Sequence, residues 1–282
     1  MIRIGVVAPG SRLTPEIADR VTALADAHYP DGAVRIEFHP QCFLCHGHFA
    51  GDDAARAAAF IEVANDAAYD ALWIGRGGYG ACRIAEDVLA ELKGAARAKT
   101  YLGYSDAGFL LAGLYARGFK EVFHGPMPGD ILREGGEAAV TRALAWLVER
   151  DPVAVEPTLA KGDAAAAFNI MILSQLLGTP LEPDLSGHVL MLEEVSEYMY
   201  RIDRSLFHVT SNRMIRRVAG IRLGRCSLIP PNDPEFAETE EEIVERWCAR
   251  AGIPYLGRAD IGHDAANKVV PFGRLGCARG PA

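Results

Sequence analysis

The spacing of apolar residues changes character along this chain. Residues 2–7 (IRIGVV) are a short apolar run, whereas Thr14 to Ala27 repeats apolar residues every three or four positions. The first pattern predicts a strand and the second a helix. The same alternation continues: AVRIEFHP reads as a strand, DAARAAAFIEVAND as a helix, and YDALWIGRGGYG as a strand entering a glycine-rich turn. GACRIAEDVLAELK then reads as a helix, TYLGYS as a strand, DAGFLLAGLYARG as a helix, EVFHGPM as a short strand and EAAVTRALAWLVER as a closing amphipathic helix. Strands alternating with helices over short connections predict a mostly parallel sheet covered on both faces over 1–150. In such sheets functional groups collect beyond the carboxyl ends of the strands.

Prolines accumulate and helical spacing stops around 151–164, which reads as a linker. The remainder, 165–282, predicts a smaller mixed α/β domain. AAAAFNIMILSQLLGT is expected to be helical, HVLMLEEV a strand, YRIDRSLFHVTSN a helix and VAGIRLG a strand. A further helix is expected over Glu238 to Ala251, ahead of two strand-like segments, PYLGRADIGH and KVVPFGRLG.

Composition narrows the function classes. The chain has 282 residues, half of them hydrophobic, and a formal charge of −8. No basic stripe is visible, which argues against a nucleic-acid partner. No stretch approaches the roughly 18 apolar residues of a membrane span, and the N-terminal run is too short for a secretory signal. A cytoplasmic, soluble protein without a membrane partner is expected.

The six cysteines (Cys42, Cys45, Cys82, Cys226, Cys248 and Cys277) are expected to be thiols rather than disulfides in that setting. CFLCHGH has the Cys-x-x-Cys-His spacing of haem attachment and offers Cys42, Cys45, His46 and His48 as zinc ligands. A zinc site with every ligand inside seven residues would lack the usual distant second pair. The segment is read as a loop, with no metal and no cofactor.

Candidate chemistry centres on TYLGYSDAGFLL, where Ser105 follows an apolar run and precedes a helical pattern. Ser105 could simply cap that helix. Yet Gly103-Tyr104-Ser105-Asp106-Ala107 also resembles a strand-turn-helix nucleophile elbow, with alanine in place of the last glycine. A serine nucleophile needs a base, an acid behind that base and donors for an oxyanion. Glu193 ends an apolar strand, and His263 lies in a loop between two strand-like segments. The IGRGGYGACR turn supplies Gly77 and Gly78, suited to positive φ or close backbone approach, and Cys82 there is the fallback nucleophile. His124, in FHGPM, also follows a strand.

Taken in order, VVAPGS, FAGDDAARAAAF, RGGYG, GYSD, FHGPM, LLGTPLEPDLSGHVLMLEEVSEYMYRIDR, VAGIRLG and GHDAANKVVPFG resemble the LD-carboxypeptidase family along nearly the whole chain. These are serine peptidases that include the murein tetrapeptide carboxypeptidases and the microcin C self-immunity proteins. The resemblance implies Ser105 as nucleophile, Glu193 and His263 as its triad partners, and the amides of Asp106 and Gly78 as the oxyanion hole. It also implies a Rossmann-like N-terminal domain carrying the serine, a smaller β-rich C-terminal domain carrying the glutamate and histidine, a murein peptide as substrate and a homodimer. A carboxypeptidase must receive a terminal carboxylate, for which arginine is suited; Arg76 and Arg204 are the candidates. Two other readings stand beside this one: a family hydrolase that destroys peptidyl-adenylate-like compounds, and a non-catalytic binding protein on the same scaffold.

Overall fold

The computed structural model describes residues 1–275, and Cys277 lies outside them. The first part of the chain runs β1 (Ile2–Val7), α1 (Pro15–His28), β2 (Val34–Phe38), α2 (Asp53–Asn65), β3 (Ala71–Ile74), α3 (Ala81–Ala90), β4 (Thr100–Gly103), α4 (Gly108–Ala116), β5 (Val122–His124) and α5 (Gly136–Glu149). The second runs β6 (Ala164–Asn169), α6 (Ile170–Leu176), β7 (Val189–Val195), α7 (Met199–Ser211), β8 (Gly220–Ser227), α8 (Glu240–Ala251), β9 (Tyr255–Arg258), β10 (Val270–Pro271) and β11 (Gly273–Arg274).

Two sheets result, and the architecture is α/β. The first has the order β10-β5-β4-β3-β1-β2, parallel except for β10. The second has the order β11-β6-β7-β8-β9, parallel except for β11. The chain moves outward from β1 in both directions, so a crevice opens where the order reverses. After β9 it returns to both sheets in turn, adding β10 to the first and β11 to the second. Val155 also bridges Val269, so the connecting segment is pinned between them.

One expected element is corrected. The alanines of AAAAFN form β6 instead of the start of a helix. Alanine favours helix in isolation, but this segment is buried on both faces. Ala166 and Phe168 enter one core cluster while Ala165 and Ala167 enter another. Side chains of period two, each facing a wall, suit a central strand.

α4 is buried from Gly108 to Leu114, as expected of a helix that is apolar all round. It lies within a core shared by both sheets. Leu72 and Tyr101 of the first sheet and Phe168, Leu190 and Leu192 of the second join one cluster with Leu110, Leu114 and Leu173. Burying such side chains contributes roughly 1.5–3 kcal/mol each, so packing docks the two sheets independently of any polar contact at their ends. No helix among the described residues is long and apolar enough to cross a membrane.

Candidate active site

Ser105 stands at the carboxyl end of β4, where the chain turns sharply into α4. Its φ of 62° is left-handed, which is uncommon for a residue with a side chain. Such local strain is held only where the surroundings over-determine it, and it projects the hydroxyl out of the turn. The capping role is not taken up. The N-cap of α4 is Ala107, and the Ser105 hydroxyl lies instead 3.0 Å from His263 Nε2.

His263 comes from the loop after β9, on the other sheet. Its Nδ1 donates to Glu193 Oε2 at 2.6 Å, which leaves Nε2 facing the serine. Glu193 sits on β7 and is fully buried; its second oxygen finds no hydrogen-bond partner among the described residues. A Cβ on Gly224 of β8 would come 3.0 Å from Glu193 Cβ and closer still to Ile261, so this strand crossing requires glycine. Asn267 secures the histidine loop: its Oδ1 accepts from Gly262 N and from His124 Nε2.

The glycine-rich turn after β3 closes over the serine. A Cβ on Gly77 would lie 2.8 Å from Ser105 Oγ, and Gly78, with φ of 97°, lies against Ser11. Two buried charges fasten the end of this turn. The Asp106 carboxylate accepts from Ala81 N at 2.7 Å. From the opposite side, the Arg56 guanidinium donates to the carbonyls of Gly80 and Pro9 and stacks on Phe49.

Burial also shifts several acids and bases near the site. It pushes Asp106 up to about 6 and Glu194 up to about 7, and it lowers His124 to about 4. His124 is therefore a neutral structural ring at working pH, edge-on to Tyr104. Glu194 accepts from Asn169 Nδ2, Met171 N and Val195 N. Because its folded-state pKa is raised, its contribution to stability is complete below about pH 4.5 and is lost as pH rises through about 7. The loss is on the order of 3 kcal/mol. Glu194→Gln should therefore flatten the fall in melting temperature across that window, whatever constant offset the amide introduces. Equal slopes for the two proteins would show that Glu194 carries no such shift.

The other expected residues fall as follows. Arg76 is exposed beside Gly77, and its Nη1 donates to Arg12 O at 3.3 Å. Arg204 lies over the Tyr200 ring on α7, and no hydrogen bond described joins it to the serine, histidine and glutamate. Cys82 is half-buried, and burial together with the nearby Asp106 raises its thiol pKa, the opposite of what a thiolate nucleophile needs. The four zinc-ligand candidates are not gathered. Cys42 is buried with its thiol toward Val6 O, whereas Cys45, His46 and His48 are exposed. No cluster of three or more His, Cys, Asp or Glu suited to a metal occurs among the described residues. A cavity of about 700 Å³ lined by Phe123, Trp146, Val155 and Leu159 lies away from Ser105, which is not part of its wall.

Sequence reading missed the support of this site. Arg56, Arg133 and Arg142 donate to backbone carbonyls, Arg133 to that of His263 and Arg142 to those of Ala265 and Asn267, and Asp130 is a buried carboxylate paired with Arg133; such contacts leave no spacing signature. Asn267 and Arg56 had a signal, since they lie in GHDAANKVVPFG and FAGDDAARAAAF, two of the segments that carry the family resemblance.

Residues 4–125 match the LD-carboxypeptidase N-terminal domain and residues 166–276 the LD-carboxypeptidase C-terminal domain. The protein is thus a serine-type peptidase with the general function of a carboxypeptidase. It belongs to the LD-carboxypeptidase family. The probable murein peptide carboxypeptidase of Bacillus subtilis (strain 168) is 29% identical, over 96% of this chain and 86% of its own length. The murein tetrapeptide carboxypeptidase of Pseudomonas aeruginosa is 26% identical, over 99% of this chain and 93% of its own. Among solved structures, the microcin C7 self-immunity protein MccF, in complex with aspartyl sulfamoyl adenosine, shares the fold. Its TM-score is 0.79 at 18% identity, covering 96% of this chain and 91% of that one.

Proposed function

We propose that the protein hydrolyses the bond before the terminal D-alanine of murein tetrapeptides, through an acyl-enzyme on Ser105. The observation that carries this reading is the unbroken line of hydrogen bonds from Glu193 through His263 to Ser105, at 2.6 and 3.0 Å. His263 Nε2 takes the hydroxyl proton as Ser105 Oγ attacks the carbonyl of the diamino acid's L-centre. Buried Glu193 holds the ring in the productive tautomer and stabilises the imidazolium. The amides of Asp106 and Gly78 receive the oxyanion. Collapse of the tetrahedral adduct breaks the C–N bond, and the imidazolium gives its proton to the departing D-alanine amine. Water, deprotonated by the same nitrogen, then releases the tripeptide.

Arg76 is the residue we assign to the substrate's terminal carboxylate. Support comes from its exposure one residue before Gly77, whose Cα approaches the serine. The same proposal includes a cytoplasmic setting and the homodimer that the family resemblance implies.

A substrate panel followed by mass spectrometry tests the reading. Murein tetrapeptides carrying either meso-diaminopimelate or L-lysine should yield tripeptide and free D-alanine, and the corresponding all-L peptides should not react. A second reading, hydrolysis of peptidyl-adenylate-like compounds, is favoured by the ligand named for MccF. Cleavage of a peptidyl sulfamoyl adenosine with no release of D-alanine would establish it over the first.

A further inference from the structure

We propose that Arg133 is a positioning residue, a clamp that holds the histidine loop in register with the serine; the proposal rests on the triad reading above. Its guanidinium bridges two partners. Nε donates to Asp130 Oδ1 at 2.9 Å, and Nη1 donates to the backbone carbonyl of His263 itself at 2.7 Å. Asp130 is buried, and the same Oδ1 accepts from the Tyr104 hydroxyl at 2.8 Å, while Oδ2 accepts from Met127 N. Tyr104 immediately precedes Ser105, and its ring lies 4.8 Å from the His263 ring.

A closed circuit follows. From Ser105 it passes through Tyr104, Asp130 and Arg133 to the main chain of His263, and returns through the imidazole to the serine hydroxyl. The nucleophile and the base come from different sheets, so the Ser105–His263 hydrogen bond alone would leave their separation to loop motion. The circuit supplies a second, charge-assisted tether between the same two residues. Arg142 extends it by donating to the carbonyls of Ala265 and Asn267, and Arg225 holds the loop from its own sheet through Asp260 and Asp264. Arg133 differs from both, since one planar group joins the histidine's carbonyl to the carboxylate that holds Tyr104, the residue beside the serine. An isolated exposed ion pair would contribute little. Here the carboxylate is buried and the guanidinium's second donor is committed to the base.

Arg133→Ala should lower kcat for D-alanine release by about a hundredfold, the cost of an ångström of misplacement, with KM changed less than about twofold. The rate of labelling by a fluorophosphonate should fall in parallel. Guanidinium chloride should restore part of both rates in the variant, while sodium chloride at equal ionic strength should not. Tyr104→Phe, which keeps the ring and removes only the link to Asp130, should lower kcat by about tenfold. It decides the matter if Arg133→Ala does not fold. Full kcat in Arg133→Ala, a loss that merely tracks the folded fraction without guanidinium rescue, or full kcat in Tyr104→Phe would each overturn the clamp. Ser105→Ala separates this failure from failure of the triad. An inert Ser105→Ala beside a fully active Arg133→Ala removes only the clamp, and an active Ser105→Ala removes the nucleophile assignment beneath it.

Discussion

Ser105→Ala is expected to lower kcat by about five to six orders of magnitude, as in serine enzymes stripped of their nucleophile. Neither Cys82 nor His124 can substitute. Cys82 has a raised pKa, and His124 is buried against Tyr104 and bonded to Asn267. The fold should survive. Alanine meets the same left-handed backbone penalty at 105 as serine does, and the exchange removes one oxygen from a partly open position. Melting temperature should therefore stay close to wild type while fluorophosphonate labelling disappears. D-alanine release, followed with a D-amino-acid oxidase assay, provides the decisive number. Release at the wild-type rate would mean that Ser105 is a structural turn residue.

Glu193→Gln is expected to cost about three to four orders of magnitude in kcat with KM nearly unchanged. The side chains have almost the same shape, so packing against Gly224 is preserved. What changes is charge and hydrogen-bond polarity. The carboxylate accepts the proton of His263 Nδ1 and leaves Nε2 as the acceptor for the serine. An amide can present its NH₂ to Nδ1, which favours the wrong tautomer, and in either orientation it cannot neutralise an imidazolium. Stability should change little or even rise, since a buried carboxylate with one partner is exchanged for a neutral group. Near-wild-type kcat in this variant would reduce Glu193 to a packing residue.

These two variants act on residues that the sequence already singled out, whereas Arg133→Ala acts on one that it did not. The difference is physical. Ser105 and Glu193 each end an apolar run, so local patterning places them near the carboxyl ends of strands. Arg133 follows a short helical turn, and its partners are a carboxylate three residues away and a carbonyl 130 residues away. Nothing in its neighbours distinguishes it from a surface arginine. β6 shows the same limit for secondary structure. Four alanines carry a helical preference of tenths of a kcal/mol each, and burial on both faces overrides it.

By itself the amino-acid sequence determined the alternation that builds the first sheet and the turn bearing Ser105, because each depends on residues close in the chain, and the family resemblance of its motifs supplied the candidacy of Glu193 and His263. Tertiary structure alone decided that Ser105 Oγ, the His263 ring and Glu193 lie on one hydrogen-bonded line. They are contributed by two sheets whose shared core, from Leu110 and Leu114 to Leu173 and Leu192, sets the distance between them. Local patterning specifies which face of an element is buried. Only the packing of those faces against one another, with the hydrogen bonds that hold the histidine loop, brings Ser105 Oγ and His263 Nε2 to 3.0 Å.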